Sequence, residues 1–309
     1  MDRSSYFISD TALFGSYPSQ ESANELESNG VCLFVNLTEQ IENLDEYKLK
    51  NAEMISFPIP DRKIPTNTLQ FSLLIMKIVM RITNFKQGEK IYIHCKGGHG
   101  RAGIVVASIL CYYYNIEPSR ALELTTLYHS QRKEMRAKWR TIGSPQTQTQ
   151  KQFVNKLFTP LFFYKAFKNG PTAGFSNFSH HTVYLKRFNE TFGTAEAAFN
   201  AFKDPTNKQY IESLAHAVNP FIAKDLSKHC TLRDDWYERR QEFMTEVIYA
   251  KIQQHEDFRE KLINSCLRPI VHHTRNDRFW GDGPNSAGKN VLGKILVNIR
   301  HKLLKDMIY

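Results

Sequence analysis

The chain lacks the features that mark secreted, membrane-spanning and repetitive proteins. It has only five cysteines, an odd number without a Cys-x-x-Cys pair, which argues against a disulfide framework and favours reduced thiols. The first residues lead into no apolar stretch of the kind found in signal peptides. The longest apolar runs, around 71–82 and 103–114, are too short or interrupted for the ~20 residues of a membrane span. These absences, together with the lack of internal repeats, predict a cytoplasmic protein without a membrane span.

Length and charge indicate more than one domain. A chain of 309 residues exceeds the usual size of a single domain, so a second hydrophobic core is expected. Residues 1–150 contain 17 Lys+Arg and 15 Asp+Glu, which leaves 24 and 16 in residues 151–309, so the second half carries +8 of the net charge of +10. A solvated basic surface is the default interpretation, but the bias also suits a phosphate-rich ligand such as a nucleotide or nucleic acid.

The first half alternates short β-branched runs with longer helical patterns. Residues 31–37 and 90–95 have the pattern of buried strands, and residues 20–29, 66–83, 102–115 and 117–130 have that of helices. Such alternation predicts an α/β domain, with a central, mostly parallel sheet and helices on both faces. Ligands bind at the carboxyl edge of such a sheet, which is where the loop after residues 90–95 lies.

That loop contains a potential nucleophile. Cys95 is followed after five residues by Arg101, where the helical pattern begins, so the backbone N–H groups of the loop and the helix dipole favour a thiolate and a bound anion. Arg101 provides a planar fork for two phosphoryl oxygens. The glycines are predicted to turn N–H groups inward through positive φ angles. The predicted phosphate-binding residues are Lys96, Gly97, Gly98, His99, Gly100 and Arg101.

The sequence from His94 to Arg101 resembles the signature of the cysteine-dependent tyrosine and dual-specificity phosphatases. Other parts of that family's pattern follow in order over residues 1 to 155, namely the early strand at 30–38 and the start of the last helix at 144–154. The resemblance implies that Asp61, in the segment 57–61, is the general acid. The family usually has Ser or Thr after the arginine, and this chain has Ala102. Without that hydroxyl, we expect breakdown of a phosphocysteine to be slow.

A basic cluster precedes the last predicted helix of the first half. Arginines and lysines surround Trp139 in this segment and provide a docking surface for an acidic substrate, with a solvated helix end as the alternative interpretation. The cluster consists of Arg132, Lys133, Arg136, Lys138 and Arg140.

The second half changes character and is predicted to be mainly helical. Six short motifs follow one another in the order seen in the NADAR family, beginning with residues 174–178 and ending with residues 288–293. The chain is similar there to the bacterial YbiA-like N-glycosidases. The resemblance implies a mainly α, α+β domain that cleaves an N-glycosidic bond to a phosphorylated ribose. The substrates implied are riboflavin-pathway ribosylamino-pyrimidines or ADP-ribose attached to guanine.

Breaking a ribose C–N bond passes through a cation-like sugar, so a carboxylate must face the anomeric carbon. Glu196 is the candidate, because spacings of three, four and seven residues place Phe199, Asn200 and Lys203 on the same helix face. Asp235 or Asp277 is assigned to hold a ribose hydroxyl, with helix capping as the alternative interpretation. Trp236 and Trp280 are assigned to stack on a base, with core packing as the alternative. The predicted ADP-ribose or nucleotide-binding residues are Phe178, Lys203, Asp235, Trp236, Asp277, Trp280, Gly281 and Asn290.

One position departs from the NADAR pattern. The family tends to have a glutamate in the segment before Asp277, where this chain has His272 and His273. The two histidines and Asp277 lack a further ligand at a suitable spacing, so neither a metal nor a cofactor is predicted.

The sequence thus predicts a bifunctional hydrolase with a dual-specificity phosphatase-like domain at 1–157 and a NADAR/YbiA-like domain at 158–309. The expected partners are a phosphorylated protein or other phosphomonoester, and an ADP-ribose-type nucleotide or ADP-ribosylated nucleic acid. Phosphoinositide or RNA 5′-phosphate is the alternative substrate of the first half. The rival class is an interaction protein with weakened catalysis that binds phosphoproteins and ADP-ribose or NAD.

Overall fold

The structure, a computed structural model, describes residues 2–164 and 169–308. Its contacts divide the chain into two compact units, one ending at Thr159 and the other extending from Pro160 to Met307. None of the helices in the described ranges is both long enough and apolar enough to cross a bilayer. The two units are described separately below.

The first unit is built on a five-stranded sheet. Its strands are β1 (Ser4–Ile8), β2 (Ala12–Gly15), β3 (Val31–Asn36), β4 (Glu53–Ser56) and β5 (Lys90–His94), and their order in the sheet is β1-β2-β5-β3-β4. β1 and β2 are antiparallel, whereas β2, β5, β3 and β4 are parallel to one another. The sheet is therefore mostly parallel, which confirms the prediction.

Helices flank this sheet, and the four that the sequence pattern predicts are present. α3 is the central one, because its first eleven residues are all buried and its N-terminus receives the loop that follows β5. α2 buries an apolar face from Phe71 to Ile82. The helices are α1 (Gln20–Ser28), α2 (Thr68–Thr83), α3 (Arg101–Tyr114), α4 (Pro118–Ser130), α5 (Ala137–Ile142) and α6 (Gln148–Phe158).

The second unit is mainly helical and contains two small sheets. β6 (Leu161–Phe163) pairs in parallel with β9 (Ile270–His272), and β7 (Val183–Leu185) pairs antiparallel with β8 (Glu190–Phe192). This composition confirms a mainly α, α+β domain. The helices are α7 (Ala195–Ala201), α8 (Lys208–Ala215), α9 (Pro220–Leu226), α10 (Trp236–Gln254), α11 (Glu256–Asn264) and α12 (Val291–Asp306).

An aromatic core holds the second unit together. Phe202 stacks on Phe243 of α10 with ring centroids 4.7 Å apart, and Phe258 and Phe175 are also fully buried. Burying such side chains contributes about 1.5–3 kcal/mol each relative to exposure. α7 packs against α10 in this core, which fixes the helix that carries Glu196.

Candidate active sites

The loop of residues 95–100, called the signature loop here, connects the centre of the sheet to a buried helix. Cys95 directly follows β5 and is only 3% exposed, and α3 begins at Arg101 with Gly100 at its N-cap position. The backbone N–H groups of the loop thus lie at the N-terminus of a long helix, where an anion is stabilised. This geometry places the predicted nucleophile and the predicted phosphate-binding arginine at opposite ends of one short loop.

The three glycines of the loop do not share one role. Gly98 has a φ of +71°, and a Cβ there would lie 2.3 Å from the backbone of Gly15, so both conformation and space require glycine. Gly97 and Gly100 do not have positive φ angles, and the prediction that all three would is wrong for these two. Gly100 is instead closely approached, since a Cβ would lie 2.9 Å from the side chain of Gln150.

Arg101 is held in place by a glutamate that sequence analysis did not identify. Its guanidinium donates to both carboxylate oxygens of Glu42, at 2.5 and 3.0 Å, and to the backbone oxygen of Ile59 at 2.9 Å. Burial alone would lower the pKa of Arg101, but the hydrogen bonds that it donates to Glu42 and its electrostatic interactions with Cys95, Glu42 and Asp61 raise it. The arginine is therefore charged and fixed before any substrate binds.

Asp61 reaches the same guanidinium from another segment. One of its oxygens lies 3.0 Å from an Arg101 nitrogen, although the aspartate side chain is 56% exposed. The segment that carries it extends β4 alongside the end of β3, because the N–H of Phe57 donates to the backbone oxygen of Asn36 and that of Ile59 to the backbone oxygen of Leu37. The structure therefore brings Cys95, Arg101 and Asp61 together at the carboxyl edge of the sheet.

The histidines around the loop are neutral. Burial lowers the pKa of His94 to about 3, and its Nε2 lies 2.6 Å from the hydroxyl of Tyr47. Burial and the nearby Arg132 lower the pKa of His99 to about 4, and the same two causes, burial first, lower that of His129 to about 3. The imidazoles of His99 and His129 share a hydrogen bond of 2.8 Å. Lys96, which is exposed, is therefore the cationic side chain among loop residues 95–100.

The basic cluster around Trp139 separates into different roles. Arg132 is 2% exposed and donates to the backbone oxygens of Gly98 and Phe14, so it holds the signature loop against β2. Arg140 donates to the backbone oxygens of Ser130, Arg132 and Lys133 after the end of α4. Arg136 is exposed. Two of the five basic residues thus have structural roles.

The second unit contains a large cavity of about 1330 Å³. It exceeds the ~300–1,000 Å³ typical of small-molecule sites and accommodates a dinucleotide-sized ligand. Predicted residues from different elements of this unit line it. They are Phe178, Glu196, Lys203, Trp236, Asp277 and Trp280.

Glu196 lies in the first turn of α7, and Phe199, Asn200 and Lys203 line the same cavity, as their spacing predicts. Thr194 caps the helix by accepting from the N–H of Ala197 at 3.2 Å. Burial raises the pKa of Glu196, against the opposing charges of Lys224 and Lys203, so the acid keeps its proton to a higher pH than a surface glutamate does. Lys203 donates to Ser227 at 3.0 Å.

The aromatic and aspartate candidates combine structural and cavity positions. Trp236 is 5% exposed and packs against Phe199 at 5.0 Å, and Trp280 contacts the same ring edge-on at 5.3 Å. Asp277 accepts from the N–H groups of Phe279 and Trp280 through one oxygen, at 2.9 and 2.8 Å. Asp277 therefore closes a non-helical turn at residues 277–280, so it does not cap a helix, and it also lines the cavity.

Three predicted nucleotide-binding residues do not line the cavity. Asp235 forms ion pairs with Arg233 and Arg239. Gly281 is required by packing, because a Cβ there would lie 1.9 Å from Thr274. Asn290 accepts from the N–H of His272 and donates to the backbone oxygen of Ile270, which ties α12 to β9. Local hydrogen bonds, ion pairs and close packing explain why these residue types occur at these positions. None of the three residues lines the cavity.

His272, in the segment before Asp277, lines the cavity. Its ring stacks on Phe163 with centroids 4.9 Å apart, burial lowers its pKa, and its Nδ1 has no hydrogen-bond partner among the described residues. His273 turns away and bonds Asp282 at 2.8 Å. The cavity-lining residues that sequence analysis did not single out include Asn177, Lys224 and Arg240.

One group of side chains has the composition of a metal site. Within the described ranges, His181, His255 and Asp257 place potential ligand atoms within 4.8 Å of one another. Hydrogen bonds already engage them, since His181 bonds Asp257 at 3.3 Å and His255 bonds the backbone oxygen of Thr182 at 2.6 Å. This group lies outside the set of residues that line the large cavity.

Comparison with known proteins agrees with this division into two sites. The model of the Swiss Army Knife protein DSP-PTPase phosphatase domain matches residues 3–154, and that of the NADAR domain matches residues 162–304. The chain is 31% identical over 298 residues to Putative tyrosine phosphatase 197R of Invertebrate iridescent virus 6, covering 96% of this chain and 90% of the viral protein.

Two further relatives cover parts of the chain. Putative tyrosine phosphatase 067L of Invertebrate iridescent virus 3 is 38% identical over 191 residues, which are 61% of this chain and 79% of the relative. N-glycosidase YbiA of Escherichia coli (strain K12) is 34% identical over 133 residues, which are 42% of this chain and 80% of the relative. The chain therefore belongs to the DSP-PTPase phosphatase family through its first half and to the NADAR family through its second, and it is a hydrolase that joins a phosphatase domain to an N-glycosidase domain.

Proposed function

We propose that the first domain hydrolyses phosphomonoesters through a phosphocysteine formed on Cys95. The observation that supports this most directly is the convergence of Cys95, Arg101 and Asp61 at one sheet edge, with Arg101 fixed by both oxygens of Glu42. A preorganised guanidinium stabilises charge as it shifts between phosphoryl oxygens, and it does so without reorganising during the reaction.

The reaction has two steps in this proposal. The Cys95 thiolate attacks phosphorus and the P–O bond to the leaving group breaks, while Asp61 gives its proton to the departing oxygen. In the second step Asp61 removes a proton from water, the water oxygen attacks phosphorus, and the S–P bond breaks to return the thiolate and release phosphate. Substrate phosphate competes with Asp61 for Arg101, which moves the carboxyl group from the guanidinium towards the leaving oxygen.

Phosphotyrosine and phosphoserine or phosphothreonine of proteins are the proposed substrates, with phosphoinositides or RNA 5′-phosphates as the alternatives. All five cysteines are free thiols, which is compatible with a reducing compartment, and we place the protein in the cytoplasm. These assignments follow the resemblance stated above and the open, charged setting of the loop.

For the second domain, we propose hydrolysis of an N-glycosidic bond to a phosphorylated ribose. Glu196 faces the anomeric carbon and supports the cation-like transition state, while Lys203 and Lys224 bind phosphate and Asp277 holds a ribose hydroxyl through its second oxygen. The side-chain amide oxygen of Asn177 supports this assignment, because it is buried in the wall of the cavity and has no hydrogen-bond partner among the described residues. ADP-ribose on guanine and a ribosylamino-pyrimidine phosphate are the two candidate substrates.

Aryl phosphate hydrolysis tests the first activity. Cys95→Ser is expected to abolish turnover, and Asp61→Asn is expected to lower it most for poor leaving groups, because these need the proton. Cys32→Ser is the matched control, since Cys32 is a partly buried free thiol on β3 outside the site. Full turnover by Cys95→Ser would exclude the proposal.

Release of free ADP-ribose from ADP-ribosylated guanine in DNA tests the second activity, with the ribosylamino-pyrimidine phosphate as the alternative substrate. Glu196→Gln is expected to stop release, whereas Glu212→Gln, an exposed glutamate on α8, is expected to leave it unchanged. If the wild-type protein binds these ligands tightly but consumes neither, the rival interpretation as a binding protein replaces this one.

A further inference from the structure

A second, smaller cavity adjoins the signature loop. It has a volume of about 330 Å³, near the lower end of the ~300–1,000 Å³ usual for small-molecule sites. Loop residues Lys96, Gly97 and His99 form one wall, so the cavity lies directly beside the place where substrate phosphate would bind. The opposite wall comes from the basic segment after α4. The cationic and aromatic side chains that line the cavity are those of Arg3, Lys96, His99, Arg132, Arg136 and Trp139.

The charge around this cavity is not balanced. Arg3 pairs with Glu134, which also lines the cavity, at 3.2 Å, so these two charges offset each other. Among the described residues, no carboxylate lies within ion-pair distance of Lys96, Arg132 or Arg136. Three cations therefore surround a recess the size of a phosphorylated sugar.

Arg132 makes this imbalance costly. Its side chain is 2% exposed, and its Nε has no hydrogen-bond partner within the described ranges. A buried charge is unfavourable unless opposite charges or dipoles lie close to it. Burial lowers the pKa of Arg132 to about 10, against the attraction of Tyr92 and Cys95, and the guanidinium stays charged at neutral pH. The Phe14 ring, 4.5 Å away, and Cys95 offset part of this charge, and an anion in the cavity adds a further counter-charge.

The remaining wall favours phosphate over an aromatic base. His99 and Trp139 stack on each other with ring centroids 4.4 Å apart and planes at 19°, so each ring covers a face of the other. These mutually covered faces provide no stacking platform for a base. The neutral imidazole of His99 adds no charge, which leaves the lysine and arginine side chains to define the ligand.

We propose that this cavity binds a second phosphoryl group of the substrate, a short spacer away from the phosphoryl group attacked by Cys95. The preferred substrates are then small bisphosphorylated molecules of the nucleoside bisphosphate type. This inference rests on the proposed phosphatase activity, because it adds a specificity site to the same loop. Arg136 lies on the exposed rim and guides the second phosphate towards the buried Arg132.

The test compares adenosine 3′,5′-bisphosphate with adenosine 5′-monophosphate, adenosine 3′-monophosphate and an aryl phosphate. Wild-type protein is expected to show a kcat/KM at least about tenfold higher for the bisphosphate than for either monophosphate, as expected for one additional charge-assisted contact. Arg136→Ala is expected to remove most of this preference and to leave aryl phosphate hydrolysis unchanged. Lys133→Ala is the matched control, because Lys133 is in the same segment but pairs with Asp2 and does not line the cavity.

The outcomes separate the two claims. If wild-type protein hydrolyses aryl phosphate without preferring the bisphosphate, or if Arg136→Ala and Lys133→Ala behave alike, the second-phosphate site is wrong and the proposed phosphatase activity stands. If wild-type protein hydrolyses none of the four compounds, the proposed activity itself fails.

Discussion

At the scale of single residues, the structure explains why the reactive loop works as a unit with a distant glutamate. The nucleophile and the arginine lie within one short stretch of sequence, so their spacing alone predicts their chemistry. Glu42 lies 59 positions away from Arg101 along the chain and is oriented by the N–H of Glu39. No local pattern marks it, because its role depends on where the loop after β3 returns to the sheet edge.

Replacing Glu42 by glutamine tests this role. The amide cannot accept two charge-assisted hydrogen bonds, so we expect the transition state to lose about 1.5–3 kcal/mol of stabilisation. This loss is measured as a lower kcat/KM for an aryl phosphate. Glu53→Gln is the matched control, since Glu53 makes a similar two-pronged pair with Arg81 on the surface, at 2.7 and 3.0 Å. Equal activity of the two variants would show that the Glu42 pair does not position Arg101 for catalysis.

Ala102 supports a second prediction at this scale. Its side chain is fully buried directly after Arg101, and the resemblance to the phosphatase signature implies that a hydroxyl there stabilises the departing thiolate. Ala102→Ser is expected to speed breakdown of the phosphocysteine by about tenfold or more, which reduces the burst relative to steady-state turnover. Stopped-flow hydrolysis of an aryl phosphate measures both phases. Ala107→Ser adds a hydroxyl at another fully buried position of α3 and controls for destabilisation; an unchanged burst in Ala102→Ser would argue against the expected defect.

At the scale of secondary-structure elements, buried periodic segments were predictable and exposed or short ones were not. β5 and α3 carry continuous apolar runs, and both were expected from sequence. β4 has a largely exposed pattern, and α5 is a helix of six residues without a buried residue, so neither gives a periodic signal. In the second domain, Glu196, Phe199 and Asn200 share one face because α7 is regular, whereas Lys203 lies in the turn after α7 ends at Ala201 and still lines the cavity. Asp235, Gly281 and Asn290 lie in connections or caps whose geometry depends on tertiary contacts.

Lys251 connects α10 to a segment that lines the large cavity. This fully buried lysine of α10 donates to the backbone oxygens of Gly174 and Ser176 and to the hydroxyl of Ser179, and burial lowers its pKa to about 7. The segment it holds carries Asn177 and Phe178, which line the cavity. Lys251 is therefore a positioning residue.

Lys251→Met is expected to leave three acceptors without this donor, at a cost of about 1–3 kcal/mol for local opening. Hydrogen exchange of residues 174–179 should accelerate while that of α12 stays slow, and glycosidase activity should fall with it. Lys261→Met, which removes a partly exposed lysine paired with Asp257, should change neither. Unchanged protection of the segment in Lys251→Met would remove Lys251 from this role.

At the scale of the whole molecule, the chain is two compact units that each carry one site. We propose a functional boundary at residues 157/158, at the end of α6. The first unit buries three histidines near its loop, and two of them, His94 and His129, are fully buried and have a pKa of about 3. In the unfolded chain these groups titrate near 6.5, so between about pH 6.5 and 3 the unfolded state binds more protons than the folded state.

The stability of the first unit should therefore be complete above about pH 6.5 and be lost as pH falls, by up to about 1.4 kcal/mol per pH unit for each buried histidine. Hydrogen exchange of α3 amides at about pH 7 and about pH 5, corrected for intrinsic exchange rates, measures this slope. His129→Gln should remove the contribution of one buried histidine from the pH dependence of the unfolding free energy. His216→Gln, at an exposed position, should not alter this pH dependence. A slope that is the same in all three proteins would show that His129 does not bind fewer protons when folded.

The central claim is that Cys95 carries the phosphoryl group during turnover, and acid-quench trapping with mass spectrometry tests it most directly. The protein should be mixed with an aryl phosphate, quenched during the first turnover, digested and examined for phosphate on the peptide that contains Cys95. We expect nearly stoichiometric phosphocysteine at Cys95, accumulated because Ala102 slows its breakdown, and none in Cys95→Ser. Rapid hydrolysis of the substrate without phosphate on Cys95 at any quench time would contradict the account.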